Sequence, residues 1–367
     1  MKKVCIVTTV HPVFDIRIFQ KEAKTLLANG FDVTLIIQHT KNEVVNGIKI
    51  IALPLAKNRF YRFLLGKLAY KLALSCAADI YHFHDPELIP WMLKLKKKTK
   101  AKIIYDVHEN VKKDILSKMW IPSFIRKPIS FLFNWYEKWT AEKMDYIIAA
   151  TPDIAGTFHQ NNVVQVRNYP IITDNSSNIN QYNDGQRIEL IYVGALTKIK
   201  GIKEIVEATK QVNRKYCVHL KLIGVFSEKD FEQEINKIID CDKIEILGFK
   251  SQDAVYLEMR KADIGLVCFW PEPNHIEAMP NKIFEYMSVG LPIIASRFPL
   301  WLEIIEKGGC GLTVDPLNSR EISEAIEYLI EHPEERKEMG ENGKKLVMAQ
   351  YNWDNESRKL LEVYRNL

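Results

Sequence analysis

Short apolar segments rich in β-branched residues alternate with helix-like segments along almost the whole chain, and this alternation restricts the fold more than any other feature. The strand-like segments in the first half are Val4–Val7, Val33–Ile37, Ile48–Ala52, Ile80–Phe83, Ile103–Val107 and Tyr146–Ala149. Helical patterns lie between most of them, as at Arg17–Ala28 and Asn58–Ala77. Apolar strands connected by helices are typical of parallel sheets covered on both faces. The sequence therefore predicts an α/β fold.

The alternation starts again after a polar interruption. Asn, Ser, Asp, Gln and Gly dominate from Asn168 to Arg187, which is typical of a linker. The strand-like segments beyond it are Ile188–Val193, Val218–Ile223, Ile244–Leu247, Ile264–Leu266, Ile293–Ala295 and Gly311–Val314. A chain of 367 residues also exceeds what one hydrophobic core usually serves. We therefore expect two domains, at 1–170 and 186–350, and a final helix at Trp353–Asn366.

Composition and cysteine placement indicate a cytoplasmic globular protein. No uncharged apolar stretch approaches the ~20 residues that a membrane-spanning helix needs. The first residues run directly into a strand pattern without a small-residue cleavage site, so no secretory signal peptide is expected. The six cysteines are scattered without a C-x-x-C pair, which favours reduced thiols over disulfides or a zinc site.

Positive charge is concentrated in the first half. Residues 1–170 contain 26 Lys and Arg against 14 Asp and Glu, whereas the rest of the chain contains 25 against 32. Basic and aromatic residues are interleaved at Lys57–Lys71 and Trp120–Lys143, and Lys94–Lys102 adds six lysines. Such elements can lie on an anionic membrane, here the inner face of the cell membrane. The alternatives are a solvated face over buried aromatics, or nucleic acid, for which no recognised binding module is present.

The segment Glu277–Ser296, EAMPNKIFEYMSVGLPIIAS, carries the most specific functional signal. A Pro-Asn-Lys turn between the carboxylates of Glu277 and Glu285 opens a short helix, which Gly290 and Pro292 end. Backbone N–H groups at a helix N-terminus favour a bound anion, and a carboxylate one turn later can accept hydrogen bonds from sugar hydroxyls. The arrangement predicts a socket for a sugar nucleotide. The alternative is an ordinary helix–strand unit with solvated glutamates.

This string resembles the E-x7-E signature of the family 4 glycosyltransferases, also called glycosyl transferases group 1. These are retaining enzymes of the GT-B architecture, with two facing Rossmann-like domains and a C-terminal helix that crosses back to the first domain. The resemblance implies that Glu285 holds the ribose of the nucleotide and that Glu277 faces the donor sugar. The residues between them would contact sugar or phosphate: Pro280, Asn281, Lys282 and Ile283.

The C-terminal segment Tyr351–Trp353 looks like the aromatic hinge at which the chain of that family returns to its first domain. The resemblance therefore assigns residues 351–367 to the first domain. The alternative is a terminal helix that packs on its own domain.

A second candidate for phosphate binding is the turn from Gly194 to Gly201. Glycine lets the backbone approach a ligand closely, and Lys200 can place a point charge against a diphosphate. Family members commonly have Gly-Arg-Leu followed by Lys-Gly here. The lysine matches as Lys200, but Ala195 stands where the arginine is expected, so Lys198 or Lys282 would have to supply the missing charge. A solvated surface lysine is the alternative for Lys200.

Polar residues follow the strands of the first half, where ligands of open α/β sheets collect. The resemblance implies that His108, after the strand ending at Val107, reaches toward the donor sugar; the alternative is a capping or buried structural histidine. A subset of the family has a His-x3-Asp-x-Arg pattern, which makes His11, Asp15 and Arg17 candidates for acceptor contacts. His84, at the end of a strand, would line the same acceptor side.

Other motifs favour no metal or dinucleotide. His82 and His84 would face one side of a strand, but no further His or Cys completes a tetrahedral zinc site. The Asp-Cys-Asp string at Asp240–Asp242 is at a predicted helix end, where chance explains it better than a metal site. No G-x-G-x-x-G follows a strand.

We therefore interpret the chain as a metal-independent retaining glycosyltransferase without a cofactor. It would move a sugar from a nucleotide-sugar donor, UDP-linked, to a glycan or lipid-linked acceptor in cell-surface polysaccharide biosynthesis. Catalysis would depend on His108, Lys200 and Glu277, with donor contacts from Gly194. Two alternatives stay open: a sugar-nucleotide epimerase of the same architecture, and a non-catalytic nucleotide-sugar binder.

Overall fold

The computed structural model describes residues 1–56, 59–118, 121–159, 162–172, 187–239 and 242–367. These residues form two compact units: Met1–Asn168 with Trp353–Leu367, and Tyr169–Asn352. Parts of four expected features lie outside the described residues: Lys57 and Asn58 of the basic stretch, Trp120, residues 173–186 of the expected linker, and Asp240–Cys241. None of the described helices combines the length and the apolar character that crossing a bilayer requires.

The first unit contains an eight-stranded sheet in the order β3-β4-β2-β1-β5-β6-β7-β8. The strands are β1 Lys3–Pro12, β2 Asp32–Gln38, β3 Glu43–Val45, β4 Ile48–Leu53, β5 Ile80–Phe83, β6 Lys102–Val107, β7 Tyr146–Ala149 and β8 Val163–Gln165. All strand pairs are parallel except β3 with β4, which form an antiparallel hairpin at the sheet edge. The helices are α1 Lys24–Ala28, α2 Arg59–Cys76, α3 Ile89–Thr99, α4 Val111–Ser117, α5 Ser123–Ala141 and α6 Pro152–Thr157.

The second unit contains a six-stranded sheet in the order β11-β10-β9-β12-β13-β14, in which neighbouring strands are parallel. Its strands are β9 Ile188–Val193, β10 Val218–Ile223, β11 Ile244–Gly248, β12 Ile264–Val267, β13 Ile293–Ser296 and β14 Gly311–Val314. The helices are α7 Ile202–Val212, α8 Lys229–Ile238, α9 Gln252–Lys261, α10 Pro273–Ile276, α11 Asn281–Ser288, α12 Pro299–Ile305, α13 Ser319–Glu331 and α14 Pro333–Ala349.

The α/β class predicted from the alternation is confirmed, and each expected strand lies within or overlaps a strand of the structure. Among the described residues, the short strands β3 and β8 are the two that the sequence pattern did not predict, because three-residue segments carry little periodicity. The antiparallel β3 also departs from the all-parallel expectation. A hairpin needs only a tight turn, and Asn46 and Gly47 supply it with positive φ values of 52° and 86°.

The helix expected from Arg17 begins differently. Ile16–Ala23 is π-helical and continues into α1. Asp15 caps this segment, because its Oδ1 accepts hydrogen bonds from the N–H groups of Arg17 and Ile18, both at 2.9 Å. The wider turn brings residues five apart onto one face. Arg17 and Glu22 therefore meet inside the protein, with 2.9 Å between Nε and Oε1.

The last helix, α15 Trp353–Arg365, belongs to the first unit. Its side chains Trp353, Leu360 and Tyr364 are buried in a core with β1, β2 and β4. The Trp353 indole donates a hydrogen bond to Thr25 Oγ1 at 2.9 Å. In the structure the C-terminal helix thus packs on the first unit.

Candidate functional site

Each sheet has one place where the strand order reverses, and polar residues collect there. In the second sheet the reversal lies between β9 and β12, and in the first between β1 and β5. Chain connections leave these strands in opposite directions, which opens a crevice at their carboxyl ends. The two groups of candidate residues lie at these places and are described separately.

In the second unit, two glycines allow the segment that follows β9 to pack closely against neighbouring residues. Gly194 has a φ of 134°, and a Cβ there would lie 2.6 Å from both Cε and Nζ of Lys282. Gly201 has a φ of 69°, and a Cβ there would lie 1.9 Å from the Cys268 carbonyl oxygen. Larger residues would push Lys282 away or separate the start of α7 from the end of β12. The positive φ values also favour glycine.

Three lysines surround an aromatic pair that follows β12. The Nζ atoms of Lys200 and Lys282 lie 3.7 and 5.9 Å from the centre of the Phe269 ring. Lys198 Nζ lies 5.6 Å from the Trp270 ring. The faces of the rings attract the ammonium groups but do not neutralise them, because the rings carry no net charge. The three lysines form a positively charged group at the carboxyl ends of β9 and β12, and we call this group the lysine pocket.

The pKa values of Lys200 and Lys282 reflect their burial and their closeness to each other. Burial, with a further contribution from Lys282, lowers the pKa of Lys200 to about 8. Burial also lowers the pKa of Lys282, although Glu285 partly opposes the shift. Two ammonium groups that are desolvated and repel each other gain free energy when an anion binds between them. The pocket therefore suits a ligand such as a diphosphate.

His275 orients Lys200, a role that the sequence analysis did not assign. Its Nδ1 lies 2.9 Å from the Trp270 carbonyl oxygen, and its Nε2 lies 3.0 Å from Lys200 Nζ. A carbonyl only accepts, so Nδ1 carries the proton and Nε2 accepts from the lysine. Burial and the charge of Lys200 lower the pKa of His275, which favours this neutral form. The position of His275, two residues before Glu277, was the available signal.

The segment between the two glutamates folds as the sequence predicts, with a short helix that starts after Pro280. Glu277 directly follows α10 and is exposed, while Glu285 lies in the second turn of α11 and is half-buried. The Ile283 side chain is in the core, and its N–H donates to the Pro280 carbonyl at 3.1 Å. An anion can therefore approach the first turn more easily at Asn281 and Lys282 than at Ile283. The first N–H groups of a helix have no acceptor within the helix, so they can donate to such an anion.

Two buried side chains hold this helix against the sheet. The Tyr286 hydroxyl accepts a hydrogen bond from the N–H of Val193 at 3.1 Å, which ties α11 to the end of β9. The Trp301 indole donates to the Ala278 carbonyl at 2.8 Å and fixes the turn before α11. The candidate residues of the second unit are thus brought together by contacts that the spacing of the glutamates alone does not contain.

In the first unit, a buried charge network lies at the carboxyl ends of β1, β5 and β6. Both oxygens of Asp106 accept from Arg17 Nη2 at 3.0 Å, and Arg17 also contacts Glu22. His82 and His84 stack on each other with ring centres 4.7 Å apart. Burial raises the pKa of Glu22 well above its usual range, which favours the protonated carboxyl. Burial also acts to raise the pKa of Asp106, but Arg17 and His108 outweigh it and hold this carboxylate ionised.

The more exposed residues of this group are attached to the network. His108 Nε2 lies 3.0 Å from His84 Nδ1 and 3.3 Å from Asp106 Oδ1. His11 Nδ1 lies 2.9 Å from Thr8 Oγ1 and 3.5 Å from Asp85 Oδ1. The rings of His11 and His108 have centres 5.3 Å apart. The structure therefore brings His11, His84 and His108 together.

The remaining acceptor-side candidates have structural partners. Arg17 and His84 are each only 4% exposed, so ligands reach them less readily than His11 or His108. The Asp15 carboxylate caps the π-helical segment. Burial and the neighbouring His82 and His108 lower the pKa of His84 well below its usual range, so its ring is neutral.

Four residues of this network have donor atoms that a metal ion could bridge. One atom from each of Glu22, His82, His84 and Asp106 lies within 4.8 Å of the others. Glu22 and Asp106, however, already contact the Arg17 guanidinium at 2.9–3.0 Å. A cation would therefore compete with the fixed positive charge of this guanidinium.

Two family models match the chain side by side. The model of glycosyltransferase family 4 matches residues 17–169, and the model of glycosyl transferases group 1 matches residues 174–346. The chain belongs to this family, the family 4 and group 1 glycosyltransferases. Its two α/β units, each built on a sheet of mostly parallel strands, have the GT-B fold of that class.

Individual relatives agree with this assignment. MJ1178 of Methanocaldococcus jannaschii, an uncharacterized glycosyltransferase, is 29% identical over 64% of this chain and 63% of its own length. CapM of Staphylococcus aureus, a capsular polysaccharide biosynthesis glycosyltransferase, is 25% identical over 42% of this chain and 40% of its own length. The chain spans about half the length of the curated relatives it matches, from 44% to 63% for three of them.

Two solved structures share the fold over the whole chain. Sucrose-phosphate synthase from Thermosynechococcus elongatus has a TM-score of 0.78 at 17% identity, covering 100% of this chain and 99% of that one. HepE of Anabaena, solved with UDP and glucose, has a TM-score of 0.73 at 14% identity and covers 100% of both chains. At such identities the likeness concerns the fold.

Proposed function

We propose that the protein is a retaining glycosyltransferase that uses a UDP-linked sugar donor and needs no metal ion. The acceptor is a glycan or a lipid-linked glycan in cell-surface polysaccharide biosynthesis. The observation that carries the proposal is the lysine pocket of the second unit, where Lys200 and Lys282 meet at Phe269 beside the first turn of α11. The family, the capsular relative CapM and the UDP complex of HepE support it.

In this proposal the second unit binds the donor and stabilises the leaving group. Negative charge grows on the diphosphate as the glycosidic bond breaks, and Lys200, Lys282 and the opening N–H groups of α11 are already arranged to meet it. Lys282 also supplies the cation that is missing at Ala195, because its side chain extends from α11 over Gly194, the residue before Ala195. Glu285 binds the ribose, and the exposed Glu277 steadies the donor sugar, with Lys198 at the rim of the pocket.

The first unit binds the acceptor through His11 and its neighbours Asp15, Arg17 and His84. His108 is its catalytic candidate and contacts the donor sugar. The bonds from His84 and Asp106 to His108 fix the orientation of its imidazole, which supports this role. The basic surface of the same unit, with 26 Lys and Arg in residues 1–170, supports peripheral contact with an anionic membrane.

The decisive experiment measures donor binding and transfer separately. Purified protein is titrated with UDP and with a panel of UDP- and GDP-sugars in a thermal-shift assay, since a ligand at 100 times its Kd adds about 2.7 kcal/mol of stability. We expect the shift with UDP compounds and its loss in Lys200→Ala. No shift with any nucleotide sugar would refute the proposal.

Transfer is then followed by NMR with a mixture of glycan acceptors, with and without EDTA. The product should keep the anomeric configuration of the donor, and EDTA should not reduce the rate. Incubation of the donor alone tests the epimerase alternative, because an epimerase converts the donor without an acceptor.

A further inference from the structure

Helix α5 presents its apolar side to solvent and its polar side to the protein. Its buried residues are Ser130, Glu137, Thr140 and Ala141. Its large apolar residues are exposed: Phe124 at 81%, Phe131 at 68%, Leu132 at 62%, Trp135 at 60% and Trp139 at 47%. Residues 131, 135 and 139 are four apart, so they form one line along the helix. We call these five residues the α5 stripe. This orientation is the opposite of that in an ordinary surface helix.

The polar contacts on the inner side fix this rotation of the helix. The Tyr105 hydroxyl donates a hydrogen bond to Glu137 Oε1 at 2.8 Å, and Ser130 Oγ donates to the Lys112 carbonyl at 2.8 Å. Rotating the helix so that the stripe faces inward would break both hydrogen bonds and would move the Glu137 carboxyl away from the Tyr105 hydroxyl. The exposure of the stripe is therefore a consequence of specific packing.

The surroundings of the α5 stripe match an anionic lipid surface. The Trp135 and Trp139 rings stack with centres 6.2 Å apart, and Lys143 Nζ lies 3.0 Å from the Trp139 ring centre. Lys127 is exposed on the same helix. Indole rings flanked by cations suit the boundary between headgroups and acyl chains, where an apolar body and a polar edge are both satisfied. The positive charge of the first half adds attraction to anionic headgroups.

A cleft of about 560 Å³ lies between α5 and the start of α3. Its walls are apolar and include Pro86, Pro90 and Trp91 on one side and Phe133 and Tyr136 on the other. Trp91 lies against α2 at Gly66, where a Cβ would come within 2.7 Å of the indole Nε1. The volume is in the range of small-ligand sites, and the walls suit a hydrocarbon.

The two polar residues of the cleft, Glu87 and Lys94, show how a ligand would be oriented. Glu87 Oε1 accepts a hydrogen bond from Thr9 Oγ1 at 3.3 Å, and Thr9 Oγ1 also lies 3.2 Å from Asp85 Oδ2. Thr9 therefore links this end of the cleft to Asp85, whose Oδ1 lies 3.5 Å from His11 Nδ1. A chain that fills the cleft would hold its polar head near the carboxyl ends of β1 and β5.

We propose that the cleft between α3 and α5 binds the hydrocarbon chain of a lipid-linked acceptor, drawn from an anionic bilayer on which the α5 stripe lies. The proposal deepens the proposed function, because it specifies a lipid-linked rather than a soluble acceptor. It depends on residues that do not belong to the lysine pocket, so the two can fail separately.

The first arm of the test uses vesicles of 30% phosphatidylglycerol in phosphatidylcholine and the double variant Trp135→Ser/Trp139→Ser. We expect at least a tenfold loss of vesicle binding. The matched control is Phe249→Ser, which removes an aromatic residue that is 84% exposed in the second unit and should bind as the wild type does. Equal binding by all three proteins would overturn the membrane contact. A dimer that only the double variant loses would assign the stripe to a second copy instead and overturn it as well.

The second arm probes the cleft with a benzophenone-tagged farnesyl phosphate, whose cross-links are mapped by mass spectrometry. We expect labelling within residues 86–94 and 133–136, competed by farnesyl phosphate but not by inorganic phosphate. Phe133→Glu should reduce labelling at least tenfold while the thermal shift with UDP persists, which shows that the variant is folded. Labelling spread over the surface, or competed by phosphate alone, would overturn the cleft assignment. If the wild type showed no thermal shift with UDP but its cleft were still labelled, only the donor proposal would be refuted.

Discussion

Lys200 and Lys282 bring two ammonium groups to one aromatic ring, and His275 holds the first of them by a hydrogen bond at 3.0 Å. The neutral imidazole accepts from the lysine without neutralising it, so the pocket keeps its full charge for a ligand. At the residue scale, the site is therefore defined by how the lysines are held, and Lys200 gives the sharpest prediction.

The affinity for UDP should fall as pH rises from about 7 to about 9. Burial and Lys282 lower the pKa of Lys200 to about 8, so its charge is present below that pH and lost above it. Above the pKa, affinity should fall up to ~tenfold per pH unit. The measurement is calorimetric titration at several pH values. Lys200→Arg, whose side chain stays charged, is the matched control and should show a flatter profile. A wild-type affinity constant across this range would contradict the prediction.

Lys200→Ala should reduce transfer by at least ~100-fold, the usual effect of removing one donor that stabilises a growing charge. Steady-state kinetics with a donor and acceptor found in the screen above provides the measurement. Lys198→Ala, at an exposed position of the same turn, is the comparison and should lose much less. Near-normal turnover of a folded Lys200→Ala protein would remove this lysine from the mechanism.

Gly201 tests the packing that positions the same turn. Gly201→Ala would place a Cβ 1.9 Å from the Cys268 carbonyl oxygen at a φ of 69°. Gly248→Ala meets the same unfavourable φ, 64°, but no atom within 4 Å. The second variant should cost about 1 kcal/mol and the first a further 1–3 kcal/mol for the clash. Urea denaturation followed by intrinsic fluorescence compares them, and equal midpoints would show that the close approach is unimportant.

At the scale of elements, α5 combines two unusual properties, an exposed apolar stripe and a buried carboxyl on its inner side. Glu137 is only 6% exposed and accepts a buried hydrogen bond from the Tyr105 hydroxyl. The helix is therefore attached to the sheet by polar contacts, while its large apolar side chains remain available for another surface. The stripe can therefore contact a lipid surface without any change in the contacts that attach α5 to the sheet.

Glu137 should make the first unit less stable as pH rises. Burial raises the pKa of Glu137 to about 7, against about 4.3 for an unfolded chain. The folded state therefore holds a proton that the unfolded state has released, and this contribution is full below about pH 4 and lost as pH passes 7. Glu137→Gln should be more stable than the wild type at pH 8 by on the order of 1–3 kcal/mol.

Thermal melts at pH 5 and pH 8 check this expectation, because the glutamine variant should also show the smaller pH dependence. Glu142→Gln is the matched control, since Glu142 directly follows the helix but is exposed. If Glu137→Gln were less stable than the wild type at pH 8, the buried carboxyl would have to be ionised and favourably paired.

At the scale of the whole molecule, the chain builds its first unit from two distant pieces. The hydroxyl of Tyr364, in the last helix, lies 2.7 Å from Nδ1 of His82, the histidine that stacks on His84. The final residues of the sequence thus support the polar network at the carboxyl ends of the first sheet. The second unit, Tyr169–Asn352, is built from one continuous piece.

Removing α15 should therefore affect the two units differently. A chain ending at Asn352 exposes the core that buries Trp353, Leu360 and Tyr364, so the first unit should become sensitive to limited proteolysis. The second unit should remain resistant and keep its thermal shift with UDP. Glu362→Ala, a change at an exposed position of the same helix, is the control and should behave as the full chain. Unchanged protease resistance of the first unit would show that its core does not need α15.

Local sequence patterns were sufficient to predict the α/β class, every strand of the described residues except β3 and β8, and the helix that starts between Glu277 and Glu285. These features depend on local periodicity and turn residues, which are written in short windows of the chain. It did not show that His275 orients Lys200, that Lys282 crosses Gly194, or that Glu22 and Asp106 share the charge of Arg17. The contacts of Lys200 with His275, Gly194 with Lys282 and Arg17 with Asp106 join residues 75 to 89 positions apart, and only the order of strands in the sheets brings them together. Glu22 reaches Arg17 through the π-helical turn, which the sequence pattern did not indicate either. The direction of the α5 stripe was likewise decided by tertiary packing, because a helical pattern defines an apolar side but not which way that side faces.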